Sequence, residues 1–150
     1  MLPETVARLA EFKEVVAVKE ASGNLVQMTQ IMELAGDRLS LLSGDDTILL
    51  PVLSVGGKGV ISVVANIIPK ETAQVVRLWE EGKVKECQEL FLRIFPLCEA
   101  MFYETNPIPV KTALSLMGMI QEEFRLPLCK MAENNKKKLL DAMKKFGLVS

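Results

Sequence analysis

Residues 14–24 read EVVAVKEASGN. Val15, Val16, Ala17 and Val18 form an unbroken apolar run of strand length, the pattern expected of a strand covered on both faces. Lys19 follows at once, and Ser22-Gly23-Asn24 then supplies the turn residues that end the run. An ammonium at the end of a buried strand costs desolvation unless it reaches solvent, meets a partner, or gives up its proton.

Working outward, the same kind of run recurs in LSLLSG (39–44) and in GVISVVAN (59–66). The expected strands are 14–19, 39–43 and 59–64. Between them lie amphipathic segments. Pro3 opens a helix with Val6, Leu9, Ala10 and Phe12 on one face. Asn24 caps a second, which carries Leu25, Met28, Ile31, Met32 and Ala35 inward and stops at Gly36. A helix over 47–55 is bent or interrupted by Pro51, and another over 69–81 turns Val75, Val76 and Trp79 inward and ends at Gly82. The alternation α–β–α–β–α–β–α predicts an α/β fold with a parallel sheet. Beyond Gly82 only helices are expected: 83–102 with a kink at Pro96, one opening at NPIPV, and 131–146 with a lysine-rich outer face. The domain reading is therefore 1–82 for the α/β part and 83–150 for a helical part. Three parallel strands fall short of the roughly four to six of an ordinary open sheet. Either the chain is part of a larger fold or its sheet edges pair with another copy.

Composition narrows the function classes. The chain is 49% apolar and 25% charged with a formal net charge of −1, which offers no electrostatic footprint for nucleic acid or an anionic membrane. No apolar run reaches the ~18 residues that span a bilayer. MLPETVARL lacks the basic flank and apolar block of a signal peptide. Cys87, Cys98 and Cys129 are odd in number and widely spaced, which argues against a disulfide framework or zinc site and for a reducing, cytoplasmic location. The sequence contains no histidine. Ser-His and Cys-His hydrolases and most zinc enzymes are thereby excluded.

All three expected strands end in polar or glycine-containing segments, and in parallel α/β folds the C-terminal strand ends form the functional face. Lys19 is the candidate nucleophile: burial of its stem would disfavour the ammonium and leave an amine able to attack a carbonyl. Its bland alternative is a lysine that snorkels to solvent or pairs with Glu20 or Asp45. Asp45-Asp46 reads as a helix N-cap before it reads as a metal-ligand pair. Gly56-Gly57-Lys58-Gly59 lacks phosphate-loop spacing and enters a strand instead of leaving one, so it reads as a turn. Lys136-Lys137-Lys138 is one solvated helix face, and the methionines at helical spacing are core filler.

VVAVKEASGNL, LLSGDD, GGKGVISVVAN and ETNPIPVK, in that order, resemble the C-terminal half of the dihydrodipicolinate synthase family. That family belongs to the pyruvate-dependent class I aldolases, which also contain N-acetylneuraminate lyase. The resemblance implies the last three strands of a (β/α)8 TIM barrel, with their helices, followed by a C-terminal helical domain. It implies that Lys19 is the Schiff-base lysine that condenses with the keto carbon of pyruvate, that Gly44 is the glycine beside it, and that Ile61 lines the pyruvate pocket. A class I mechanism needs no metal or other cofactor. The expected partners are the small-molecule substrate pyruvate and, through exposed barrel edges, other subunits in a homo-oligomer. The family's G-x-T-G-E loop, tyrosine relay and substrate-holding arginine have no match here, so an incomplete active site is expected. The alternatives are another lyase of the same family and a non-catalytic assembly module.

Overall fold

The computed structural model describes residues 1–150. Pro3 occupies the first turn of α1 (Pro3–Leu9), where its missing N–H has no intrahelical partner to lose, and Val6 and Ala10 are buried. Phe12 lies beyond the helix end and is 60% exposed, so it does not join the inner face expected of it. Strand β1 covers Ala17–Glu20. Asn24 then caps α2 (Leu25–Ala35), its Oδ1 accepting from the amides of Val26 at 3.0 Å and Gln27 at 3.2 Å. Met28, Ile31 and Ala35 are buried along that helix, as their spacing indicates.

Strand β2 (Ser40–Ser43) is followed by a single turn over Asp46–Ile48 and then α3 (Leu49–Ser54). Pro51 falls in the first turn of α3, which explains why the helix expected over 47–55 is divided and not broken by it. Gly56-Gly57 is indeed a turn. The Gly57 amide donates to the Val52 carbonyl at 2.9 Å. A Cβ on Gly57 would stand 2.4 Å from Val52 Cγ1, so only glycine permits this approach.

Strand β3 is only Gly59–Val60, against the expected 59–64. The chain is drawn out of the sheet because the Asp46 carboxylate takes the Val63 and Val64 amides, both at 2.9 Å, and Val64–Asn66 coils into one turn. The three strands form one parallel sheet in the order β1-β2-β3, pairing Lys19 with Leu42 and Leu42 with Gly59.

The sheet has two unlike faces. Glu20, Leu41 and Ser43 point to the covered side and are 8%, 0% and 0% exposed. Ala17 and Lys19 point to the other side and are exposed. The 15–18 run is therefore not covered on both faces as its composition suggests: Val16 and Ala17 are exposed, as is Lys19 after them.

From α4 (Pro69–Glu80) onward the chain is helical: α5 (Val84–Ala100), α6 (Ile108–Leu116) and α7 (Glu133–Phe146). α5 continues through Pro96 as one helix. Leu139 and Met143 of α7 are completely buried, each contributing about 1.5–3 kcal/mol, while Lys137, Lys138, Lys144 and Lys145 lie exposed. Buried side chains form two cores. The smaller joins α1, α2, β2 and Val52 of α3; the larger joins Leu49 and Leu53 of α3 to α4–α7. No helix is long and apolar enough to cross a membrane.

Candidate active site at the strand ends

Lys19 is the third residue of β1, close to its C-terminal end. The parallel register places it in one row with Leu42 and Gly59. The ladder continues one step further, the Gly44 amide donating to the Glu20 carbonyl at 2.7 Å and the Ile61 amide to the Ser43 carbonyl at 2.8 Å. Ala21, Gly44 and Ile61 thus make the next row on the same face, since residues two apart in a strand share a side.

Gly44 is held against the lysine. A Cβ on it would lie 2.8 Å from Lys19 Cε and 2.5 Å from Ala21 Cβ. The missing side chain is what lets the Lys19 stem run forward over β2. Ile61 stands on the same face and is 49% exposed. Lys19, Gly44 and Ile61, picked from three separated segments, come together at one end of one sheet face.

Lys19 enters no ion pair; the three in the molecule are Lys83–Glu81, Lys130–Glu122 and Lys136–Glu122. Pairing with Glu20 or Asp45 is thus not the arrangement found. Strand alternation already forbids the first, because adjacent residues face opposite ways. Glu20 lies beneath the sheet. Its Oε1 accepts from the Ser22 amide at 3.0 Å and Gln27 Nε2 at 3.1 Å, and its Oε2 accepts from Ser22 Oγ at 2.8 Å. Asp45 Oδ1 accepts from the Thr47 amide at 2.8 Å and Thr47 Oγ1 at 2.7 Å, which is the N-cap expected of it.

Asp46 is 2% exposed, and its Oδ1 has no hydrogen-bond partner. Below it, the fully buried Cys98 thiol is pushed up to about 12, first by burial and then by the charges of Asp46 and Asp45. Sequence reasoning missed the bond from Asp46 to the loop after β3. The signal available was an acidic residue next to an N-cap with no further amide of its own turn to bind. No group of three His, Cys, Asp or Glu side chains converges as a metal site would require.

The sequence profile described as "Dihydrodipicolinate synthetase family" matches residues 1–146. The chain belongs to the dihydrodipicolinate synthetase family. Among relatives in that family, it is 51% identical over 149 residues to the 4-hydroxy-tetrahydrodipicolinate synthase of Thermodesulfovibrio yellowstonii, covering 99% of this chain and 51% of the relative. The synthase of the same name from Geotalea uraniireducens is 52% identical over the same length and share. The crystal structure of dihydrodipicolinate synthase from Thermotoga maritima superposes with a TM-score of 0.95 at 39% identity, covering 99% of this chain and 52% of that one. The chain spans about half the length of the synthetase-family relatives it matches. Its three-stranded α/β arrangement is the arrangement of that half in the family.

Proposed function

We propose that the chain is the half of a 4-hydroxy-tetrahydrodipicolinate synthase that carries the Schiff-base amine, with Lys19 as the nucleophile. The carrying observation is the Lys19 stem laid against side-chain-free Gly44 at a strand end, with Ile61 on the same open face. In this reading the Lys19 amine adds to the keto carbon of pyruvate. Loss of water gives the imine, and loss of a methyl proton gives an enamine whose carbon attacks the aldehyde carbon of aspartate semialdehyde, on the route to diaminopimelate and lysine. The nitrogen itself acts as the electron sink, so neither metal nor other cofactor is called for.

Strands followed by an all-helical stretch fit the C-terminal part of a (β/α)8 barrel, 1–82, with an appended helical domain, 83–150. Gly44 and Ile61 then border the pyruvate. Lys19 is exposed and Ile61 is 49% exposed, so in this reading the enclosure and proton relay of a complete cytoplasmic enzyme would be supplied by residues other than these 150. Association through the unpaired edges of β1 and β3, as a homo-oligomer, follows from the same openness.

The test is trapping. Pyruvate with borohydride should leave a reduced adduct on Lys19 in preference to the exposed Lys13, Lys58 and Lys83, read by peptide mass spectrometry. Even labelling across the four would reject a preorganised amine.

A further inference from the structure

Glu20 is a carboxylate at 8% exposure with no cation beside it, one residue from the proposed nucleophile and on the opposite side of the sheet. Burying a charge there needs a reason. Its hydrogen bonds supply one. Three donors converge on it: the Ser22 amide, the Ser22 hydroxyl and the Gln27 side-chain amide. Ser22 Oγ in turn accepts from the Asn24 amide at 3.1 Å, and Asn24 caps α2. The Glu20 carbonyl accepts from Gly44. One residue therefore ties together the end of β1, the start of α2 and the glycine that borders the lysine. Ala21 is clamped between these ties, and its Cβ stands beside the slot over Gly44 that the Lys19 stem occupies.

We infer that Glu20 is a positioning residue for the Lys19 amine: from beneath the sheet its carboxylate fixes the Ala21–Asn24 turn, and through Ala21 the slot that aims the lysine stem. The inference rests on the reading of Lys19 as the Schiff-base nucleophile. Charge matters to it, because a carboxylate offers acceptors to all three donors, whereas the glutamine isostere has one oxygen and places an NH2 among them. Freed of its ties, the turn lets Ala21 move and the stem leave its slot. The amine is then present but poorly aimed, which lowers the rate of attack without altering how other lysines behave.

The experiment is pyruvate–borohydride trapping on the full chain, comparing wild type with Glu20→Gln and scoring Lys19 against Lys13 and Lys58 in the same molecule. We expect Glu20→Gln to lower the limiting trapping rate at Lys19 about tenfold, leaving the half-saturating pyruvate concentration and the reference lysines unchanged. Wild-type preference for Lys19 that survives in Glu20→Gln overturns the positioning role and leaves the nucleophile reading standing. Absence of preference in wild type sinks both. Should Glu20→Gln fail to fold, Ser22→Ala removes the hydroxyl, and with it the bonds to Glu20 Oε2 and from the Asn24 amide, while the Ser22 and Gln27 amide bonds to Glu20 remain. It should reduce the same rate by a smaller factor, and an unchanged rate in that variant overturns the inference.

Discussion

Replacing Gly44 with alanine probes the site with a single methyl group. The φ of Gly44 lies outside the left-handed range, so backbone strain plays no part and the whole effect comes from contact. The new Cβ would meet Ala21 Cβ at 2.5 Å and Lys19 Cε at 2.8 Å, against an ordinary carbon–carbon separation of about 3.5–4.0 Å. Something must move by about 1 Å. The Lys19 stem is flexible and its side chain exposed, so its retreat costs little energy. Ala21 cannot retreat so cheaply, because Glu20 and Ser22 hold the backbone on either side of it. Overpacking of this kind costs about 1–3 kcal/mol. With a urea dependence of roughly 1–3 kcal/mol per molar, the unfolding midpoint should fall by about 1 M. In the same variant, borohydride trapping at Lys19 should fall several-fold relative to Lys58, because the stem has been pushed out of its slot. A Gly44→Ala chain with both the wild-type midpoint and wild-type trapping would show that the lysine is not seated against Gly44, and the geometric case for the site would go with it.

Asp46→Ala should destabilise the chain by about 3 kcal/mol in chemical denaturation, since two charge-assisted bonds to Val63 and Val64 are lost and the Val64 amide is buried; a change below 1 kcal/mol would mean that the loop holds itself. With thiol reagents at pH 8, Cys129, which is exposed, should react at once, and buried Cys87 and Cys98 only on unfolding. Because the Cys98 thiol is pushed up to about 12 from an ordinary value near 9, the folded state keeps a proton that the unfolded chain releases, so stability should decline as pH rises from about 9 towards 12. A Cys98→Ala variant with the same alkaline decline would assign that loss elsewhere. At micromolar concentration the chain should sediment as an associated species, since Val16 and Ile61 are 70% and 49% exposed and apolar burial is worth roughly 25 cal/mol per Å². A compact monomer that binds no hydrophobic dye would refute this.

Much of the architecture was legible because local rules and tertiary packing agree. Asn24, Gly36 and Pro69 act as helix punctuation in the sequence and bound helices in the structure. Asp45 caps its turn, Gly57 lies in one, and Met28 and Met143 fill cores at the spacing that placed them there. What failed concerned strand extent and cover. The run 15–18 has the composition of a doubly covered strand, yet composition records what a strand is suited to pack against, not whether this chain supplies it. GVISVV likewise has strand propensity throughout, but two hydrogen bonds from Asp46, distant in sequence, outweigh it after Val60. In the site, Gly44 and Ile61 came from a family resemblance; register alone puts them beside Lys19, and register is not visible in a sequence read strand by strand. The place of Glu20 beneath the sheet follows from strand alternation, since it is the immediate neighbour of Lys19.

The division of the interior into two cores has a consequence for how the molecule comes apart. The smaller holds eight buried residues and the larger twenty, and α3 is a party wall, with Val52 facing one and Leu49 and Leu53 the other. Cooperative units of unequal depth open at unequal free energies, so hydrogen exchange should release α1, β1 and α2 well before α5 and α7. Lys19 rides on the shallower unit. Its surroundings are thus the part of the molecule whose melting a ligand or a covering subunit can most readily postpone, and slowed exchange along β1 and α2 becomes a direct gauge of whether anything has bound there.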